Sequence, residues 1–377
     1  MSLSGKKQTI LGLMGVVLII GVSMIYMGFL TPKLEAGLDD YADLFVSGQG
    51  GYHTYRIPAL ISLPDGTVIA FCEGRVSSSD DYGDIDIIQR RYTRQSGWSE
   101  QTVVVNGDGS TAGNPCPVFD SETQTIFLLF CIDNDDVYVI NSTDYGVSWG
   151  VSRNITASVK LQGWEWYATG PGHAIQLSSG RLLIPCDHGS KEDDGIHADY
   201  LCSHVIYSDD HGLSWELGHI FEHGDECTAV ETADNSVYLN MRQPPQDRGF
   251  PLNQRLYAIS TDGGDTFGAV NNDPTLIEPR CQASICRFSK ADEAVNGWNR
   301  VLFVNPESTR RQKLTIKVSY DECQSWTASK LIFTGHSAYS DVQVGENKDI
   351  YILFERGAYD PYERITFVNT TIDWIEN

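Results

Sequence analysis

One eight-residue element recurs four times and limits this chain more than anything else it carries. Ser142-Thr-Asp144-Tyr-Gly146-Val-Ser148-Trp149 fits the pattern S-x-D-x-G-x-[ST]-W, and Ser208-Asp-Asp210-His-Gly212-Leu-Ser214-Trp215 fits it in full. Ser260-Thr-Asp262-Gly-Gly264-Asp-Thr266-Phe267 ends in Phe, and Ser319-Tyr-Asp321-Glu-Cys323-Gln-Ser325-Trp326 carries Cys where the others have Gly. Tyr92-Thr-Arg-Gln-Ser-Gly97-Trp98 is a degenerate fifth turn without the Asp. Asp and Ser side chains bond nearby backbone groups and close a tight turn. Gly supplies the positive φ, and the terminal aromatic packs the turn onto its own sheet. The element is therefore a staple of the fold and not a catalytic site.

The copies are spaced by about 50–65 residues, the length of one four-stranded propeller blade. Between them, runs rich in Val, Ile, Leu and Tyr alternate with Gly/Asp/Asn/Ser turns, as at Thr67–Cys72, Thr125–Ile132, Val237–Met241 and Ile350–Glu355. Residues 41–377 at roughly 55 per repeat give six blades. The expected fold is all-β: a six-bladed β-propeller preceded by one N-terminal transmembrane helix. Cys323 puts the geometry of the last turn in question.

The 21 residues from Ile10 to Leu30 are almost wholly apolar and carry no charge. At about 1.5 Å each they span roughly 30 Å, the thickness of a bilayer core. Lys6 and Lys7 precede the span, which orients the remainder toward the lumen or the outside. The reading is a cytoplasmic tail over 1–9, a signal anchor over 10–30, an acidic linker over 31–43 and a propeller domain over 44–377. The alternative is a cleaved signal peptide and a secreted or lysosomal protein, but such a peptide has a shorter apolar region and a small-residue cleavage site. Three Asn-x-Ser/Thr triplets, at Asn141, Asn154 and Asn369, weakly support a secretory route and a glycoprotein.

With 50 acidic and 27 basic residues the formal charge is −23, which excludes the basic face a nucleic-acid binder needs. An anionic ligand would require arginines concentrated against this field. The nine cysteines form no C-x-x-C pair, so a zinc site is not expected. They read as small buried hydrophobes or, in an oxidising compartment, as partners in disulfides. Neither a metal nor another cofactor is expected.

The repeats resemble the Asp boxes of sialidases, and further strings extend the resemblance in order from about Gly51 to Trp374. They are Tyr55-Arg56-Ile57-Pro58, Glu73-Gly-Arg75, Ser79-Asp-Asp81-Tyr-Gly-Asp84-Ile-Asp86, Tyr167-Ala-Thr-Gly-Pro-Gly172, Asp225-Glu226-Cys227, Leu239-Asn-Met-Arg242, Ser337-Ala-Tyr339-Ser-Asp341 and Phe354-Glu355-Arg356-Gly357. The resemblance implies a retaining exo-α-sialidase that removes terminal sialic acid from sialylated glycans.

It also implies roles. Three arginines grip the substrate carboxylate, because a planar guanidinium holds a carboxylate in two places. Arg56 and Arg242 match two of them. Arg310 and Arg311 compete for the third, and Arg311 suits the spacing better. Glu355 matches the acid that orients the first arginine. Tyr339 matches the nucleophile, since sialidases use Tyr where other glycosidases use a carboxylate. A phenol of pKa near ~10 needs a base, and Glu226 matches it, ahead of Glu231. The general acid/base is an Asp after Arg75: Asp81 by spacing, with Asp80 as the alternative. It needs a pKa above the ordinary Asp value to arrive protonated. Arg75 and Asp86 are further substrate-contact candidates, with Tyr167 and His188 behind them. Two other readings use the same residues: transfer of the sialyl group to another sugar, and a lectin-like propeller without catalysis.

Overall fold

The computed structural model describes residues 32–377 apart from 36, 39, 191–199, 245–248 and 294–296. The expected span Ile10–Leu30 lies outside the described residues, among which no helix is long and apolar enough to cross a membrane. The fold is all-β. After β1 (Tyr41–Val46), the chain builds antiparallel meanders. The first comprises β2 (Thr54–Ser62), β3 (Val68–Arg75), β4 (Ile85–Thr93), β5 (Gly97–Trp98) and β6 (Thr102–Val105). The second comprises β7 (Ala112–Asp120), β8 (Thr125–Ile132), β9 (Asp136–Ser142) and β10 (Arg153–Asn154). The third comprises β11 (Trp164–Thr169), β12 (Ile175–Gln176), β13 (Leu182–Ser190), β14 (Tyr200–Ser208) and β15 (Glu216–Ile220). The fourth comprises β16 (Cys227–Glu231), β17 (Val237–Met241), β18 (Gln254–Ser260) and β19 (Asn271–Ile277).

The last sheet has seven strands: β20 (Ser284–Ser289), β21 (Arg300–Pro306), β22 (Gln312–Ser319), β23 (Ala328–Val344), β24 (Ile350–Gly357), β25 (Arg364–Thr370) and, at its edge, β1. It holds two meanders that share β23. Ala328 to His336 pairs with β22, and His336 to Val344 pairs with β24. The sheet order β1-β25 brings the N-terminal strand onto the C-terminal one and closes the chain on itself. First strands lie against one another at the centre and are buried along nearly their whole length, as in β2 and β7. Successive meanders of this kind are consistent with a β-propeller.

The core lies between neighbouring sheets. Ile126, Leu128 and Phe130 of β8 pack on Ala59, Ile69, Phe71 and Ile87 of the first meander. Leu44, Phe45, Leu353 and Phe367 of the closing sheet pack on Leu60, Ala70 and Ile88. Each Leu, Ile or Phe among them contributes about 1.5–3 kcal/mol by leaving water. All nine cysteines are present as buried thiols, so the hydrophobe reading holds and the disulfide alternative is not realised.

The four turns repeat one set of bonds. In the first, Ser142 Oγ donates to Asp144 Oδ1 (2.8 Å), accepts from the Gly146 N–H (2.8 Å), and Asp144 Oδ1 accepts from the Ser148 N–H (2.9 Å). The fourth keeps all three: Ser319 Oγ to Asp321 Oδ1 (2.9 Å), Cys323 N–H to Ser319 Oγ (2.9 Å) and Ser325 N–H to Asp321 Oδ1 (2.8 Å). Cys323 adopts φ 67°, so the substitution leaves the turn's geometry intact at the cost of a left-handed non-glycine residue. The terminal aromatics do more than expected, because they wedge against the preceding sheet. Trp149 Nε1 donates to Gln89 Oε1 of β4 (3.1 Å), Trp215 meets Phe127 of β8 edge-on, and Trp326 Nε1 donates to Asp273 Oδ2 of β19 (3.1 Å). The gap between twisted neighbouring sheets widens outward, and a large flat ring fills it.

The segment read as a linker belongs to the folded domain. Glu35 N–H donates to the Ile332 carbonyl (3.0 Å), Leu34 bridges Phe333, and Leu38 is buried in the core of the last sheet. Tyr41 onward is the outer strand of that sheet. The domain therefore begins before residue 44. An outer strand with one buried face needs few apolar residues, so an acidic stretch holding Leu34, Leu38 and Leu44 satisfies it.

Candidate active site

Bulges at the centre of the fold aim side chains into one cavity. Pairing of β2 with β3 shifts register between Arg56 and Ala59, and Ile57 sits at φ 57°. A β-branched residue there is strained. The Ile57 N–H is held by Glu355 Oε1 at 3.0 Å. A second shift falls between Gly113 and Cys116 around Asn114, and a third between Ser337 and Ser340 around Tyr339. Bulges re-aim side chains next to binding sites. The cavity so formed has a volume of about 510 Å³ and is bounded by Arg56, Asp81, Asn114, Trp166, Ala168, Asp187, Leu201, Asp225, Glu226, Arg242, Arg311, Tyr339 and Tyr362.

The three arginines come from β2, the end of β17 and the start of β22, and they converge here. Arg56 Nε donates to Glu355 Oε1 (2.9 Å), and its guanidinium lies 4.0 Å over the Tyr362 ring. Arg242 Nη1 donates to Glu226 Oε2 (2.6 Å), and its Nε lies 3.1 Å from Asp225 Oδ2. Arg311 Nη1 donates to Tyr362 Oη (2.6 Å), and its guanidinium lies 5.3 Å from the Tyr339 ring centre. Arg310 is exposed and does not line the cavity. Arg56 Nη2 is buried with no hydrogen-bond partner among the described residues.

Tyr339 is buried beneath this cluster. Its hydroxyl bonds Glu226 Oε1 and accepts from Arg242 Nη1 at 3.1 Å. Burial pushes the phenol well above its ordinary pKa, and Glu226 adds to that, while Arg242, Arg311 and Arg56 oppose it. The phenol is therefore neutral and bonded to the Glu226 carboxyl. Glu355 is fully buried and also accepts from the Tyr339 backbone N–H at 3.1 Å. It thus fixes Arg56 and Tyr339 together.

Asp81 projects from the loop between β3 and β4, its side chain 56% exposed, and lies 2.8 Å from Arg75 Nη1 and 3.5 Å from Arg56 Nη1. Asp80 bonds Ser78 and does not line the cavity. Arg75 is buried behind the wall, held by Glu73 Oε2 at 2.6 Å and 2.9 Å. Asp86 is also set back. It accepts from Tyr52 Oη (2.6 Å) and the Gly107 N–H (2.8 Å), which makes it a brace of the β4 strand instead of a cavity residue. Tyr167 is core, and His188 stacks on Trp164 at 3.6 Å. Glu231 bonds Ser178, well away from Tyr339. Among the described residues no group of three His, Cys, Asp or Glu is arranged to hold a metal ion.

Several cavity residues escaped the motif reading: Asp187, Trp166, Asn114 and Tyr362. Asp187 directly follows the apolar strand run Leu182-Leu-Ile-Pro-Cys186, and an acid there was the available signal. It is 1% exposed, and Trp166 Nε1 donates to its Oδ2 at 3.1 Å. Burial raises its carboxyl well above the ordinary range, and Asp225 and Glu226 push it further. Burial also raises Asp225, to about 6, against the pull of Arg242.

A buried phenol with a carboxylate partner, roofed by three arginines, is the arrangement that the sialidase resemblance implies for a glycoside hydrolase of an acidic sugar. Comparison with known proteins is specific. Residues 66–352 match the BNR repeat-like domain family. Sialidase-2 of Cricetulus griseus is 31% identical over 86% of this chain and 94% of its own length. The sialidase of Micromonospora viridifaciens is 33% identical over 88% of this chain and 54% of its own. Among solved structures, the Hadza microbial sialidase Hz136 superposes with a TM-score of 0.78 at 26% identity, over 89% of this chain and 69% of that one. An intramolecular trans-sialidase from Ruminococcus gnavus shares the fold at a TM-score of 0.75 and 16% identity, over 89% of this chain and 98% of its own. The chain belongs to the sialidase family and is an exo-α-sialidase with BNR repeats.

Proposed function

We propose that this six-bladed propeller is a retaining sialidase acting on terminal sialic acid of glycoproteins, glycolipids and oligosaccharides through a tyrosine-linked intermediate. The observation that carries this reading is the bond between the Tyr339 hydroxyl and Glu226 beneath Arg56, Arg242 and Arg311. The three guanidinium groups take the substrate carboxylate. That carboxylate replaces Asp81 beside Arg56 and leaves the Asp81 carboxyl to protonate the departing glycosidic oxygen. Tyr339 attacks the anomeric carbon as its proton passes to Glu226, and the C–O bond to the aglycone breaks. Asp81, now ionised, takes a proton from water, which cleaves the sialyl–tyrosine bond and returns the phenolic oxygen its proton through Glu226. A neutral phenol approaches a carbon bearing a carboxylate without the repulsion that a second carboxylate would meet.

The test uses the full chain with 4-methylumbelliferyl sialoside and, in parallel, proton NMR of the first sugar anomer released. Tyr339→Phe is expected to lower kcat by roughly 10³-fold or more, since it removes the nucleophile. Release of the α-anomer first is expected for retention. A Tyr339→Phe protein with near-wild-type turnover, or initial release of the β-anomer, overturns the mechanism.

The charge-free apolar span Ile10–Leu30 supports a single-pass anchor with the propeller lumenal or extracellular.

A further inference from the structure

One wall of the cavity carries polar chemistry that the mechanism above does not use. Arg56, Arg242, Arg311, Tyr339 and Glu226 are all committed to the substrate carboxylate or the reacting carbon. Asp187 is not. It lies on β13, paired with Ala168 of β11 and Ser203 of β14. Strand alternation sends Cys186 into the core shared with the second meander, while Leu183 packs on the core shared with the fourth. Asp187 follows the parity of Leu183, toward Asp225. Its Oδ2 is held by Trp166, which also lines the cavity, and its Oδ1 is buried with no partner among the described residues. A buried polar oxygen left unpaired costs about 1–3 kcal/mol, so its retention in a cavity wall points to a ligand that completes it.

We propose that Asp187 is a substrate-binding, specificity-determining residue, whose free oxygen takes a hydroxyl or amide N–H of the sugar's uncharged end. This rests on the sialidase reading above. The neighbouring residues agree with an uncharged group: Trp166, Ala168 and Leu201 offer apolar surface, and Asn114 a neutral amide. Asp225 and Glu226 stand close enough to repel any further negative charge. Burial, with Asp225 and Glu226 beside it and against the pull of Arg242 and the Trp166 bond, keeps the Asp187 carboxyl protonated above the ordinary carboxylate range, and a protonated carboxyl both donates and accepts toward a polyol. When it ionises at higher pH, the wall gains a negative charge facing an anionic substrate, and affinity falls.

The experiment measures binding of free sialic acid by calorimetry, and KM for the aryl sialoside, across pH, for the wild type, Asp187→Asn and Asp187→Ala. Thermal melting checks the fold of each. Asp187→Ala is expected to weaken binding and raise KM by about tenfold, with kcat changed far less. Asp187→Asn, which keeps the Trp166 bond and a donor, is expected to stay within about threefold of the wild type at acid pH and to lose the rise of KM with pH. A folded Asp187→Ala protein that binds sialic acid as the wild type does overturns the assignment and leaves the sialidase reading standing. So does a wild-type KM that is flat with pH. A wild type that neither binds nor cleaves sialosides overturns both.

Discussion

Glu355 shows how much one buried carboxylate can organise. It accepts from Arg56 Nε, from the strained Ile57 N–H and from the Tyr339 N–H, at 2.9, 3.0 and 3.1 Å. One anion therefore fixes a cavity arginine and the strand that carries Tyr339. In Glu355→Gln the amide keeps the size, but its NH₂ must face a donor and the Arg56 charge is left without its partner. Breaking a buried ion pair from one side costs about 3–5 kcal/mol, so urea denaturation should show a loss of that order, and KM should rise because Arg56 is no longer aimed. An unchanged KM in a folded Glu355→Gln protein would separate Glu355 from substrate binding. Residues of this kind were readable from sequence where they sit in strings with fixed neighbours: Arg56 after Tyr55, Tyr339 between Ser337 and Asp341, Arg242 after Met241. Asp187 and Tyr362 were not. Asp187 is a single acid inside β13 and Tyr362 lies in the connection before β25, and only the three-dimensional closure of the sheets shows that they meet the same cavity as Arg56.

At the level of elements, the repeated turns were the most legible part of the chain, because their bonds are local and each residue has one job. Gly212 has two. It sits at φ 76°, and a Cβ there would press into the ring of Phe127 in the preceding sheet. Gly212→Ala should therefore cost about 1–2 kcal/mol for the left-handed backbone and about 1–3 kcal/mol for overpacking, a total near 2–5 kcal/mol. Cys323 occupies the same place in the fourth turn without such a clash, which shows that the ring, and not the turn alone, enforces glycine at 212. Equilibrium urea unfolding of Gly212→Ala decides this, and a loss under about 0.5 kcal/mol would remove the wedge argument. The boundary between the last two meanders was not legible. It falls inside β23, where the strand runs on through Gly335 without a turn and the change of partner is marked only by register shifts on either side of His336.

For the whole molecule, closure joins the first and last strands, β1 and β25. β1 pairs with β25 from Tyr41↔Val368 to Val46↔Arg364, and Leu44 and Phe45 are almost fully buried against Leu353 and Phe367 on one side and Leu60 and Ile88 on the other. Removing β1 exposes those faces and leaves β25 as an open edge, a template for aggregation. Two fully buried side chains are worth about 3–6 kcal/mol together, against a total of about 5–15 kcal/mol for a typical domain. The segment from Pro32 is consequently part of the enzyme, and the acidic composition that made it look like a tether hides an outer strand. Three chains test this together with the anchor: the full sequence, one starting at Pro32 and one starting at Ser47. The first is expected to sediment with membranes, the second to be soluble, folded and active, and the third to aggregate or melt far below the second. A chain from Ser47 as stable as that from Pro32 would show that the sheets close without β1. A full-length chain that stays in the supernatant would show that Ile10–Leu30 does not hold the propeller at a membrane.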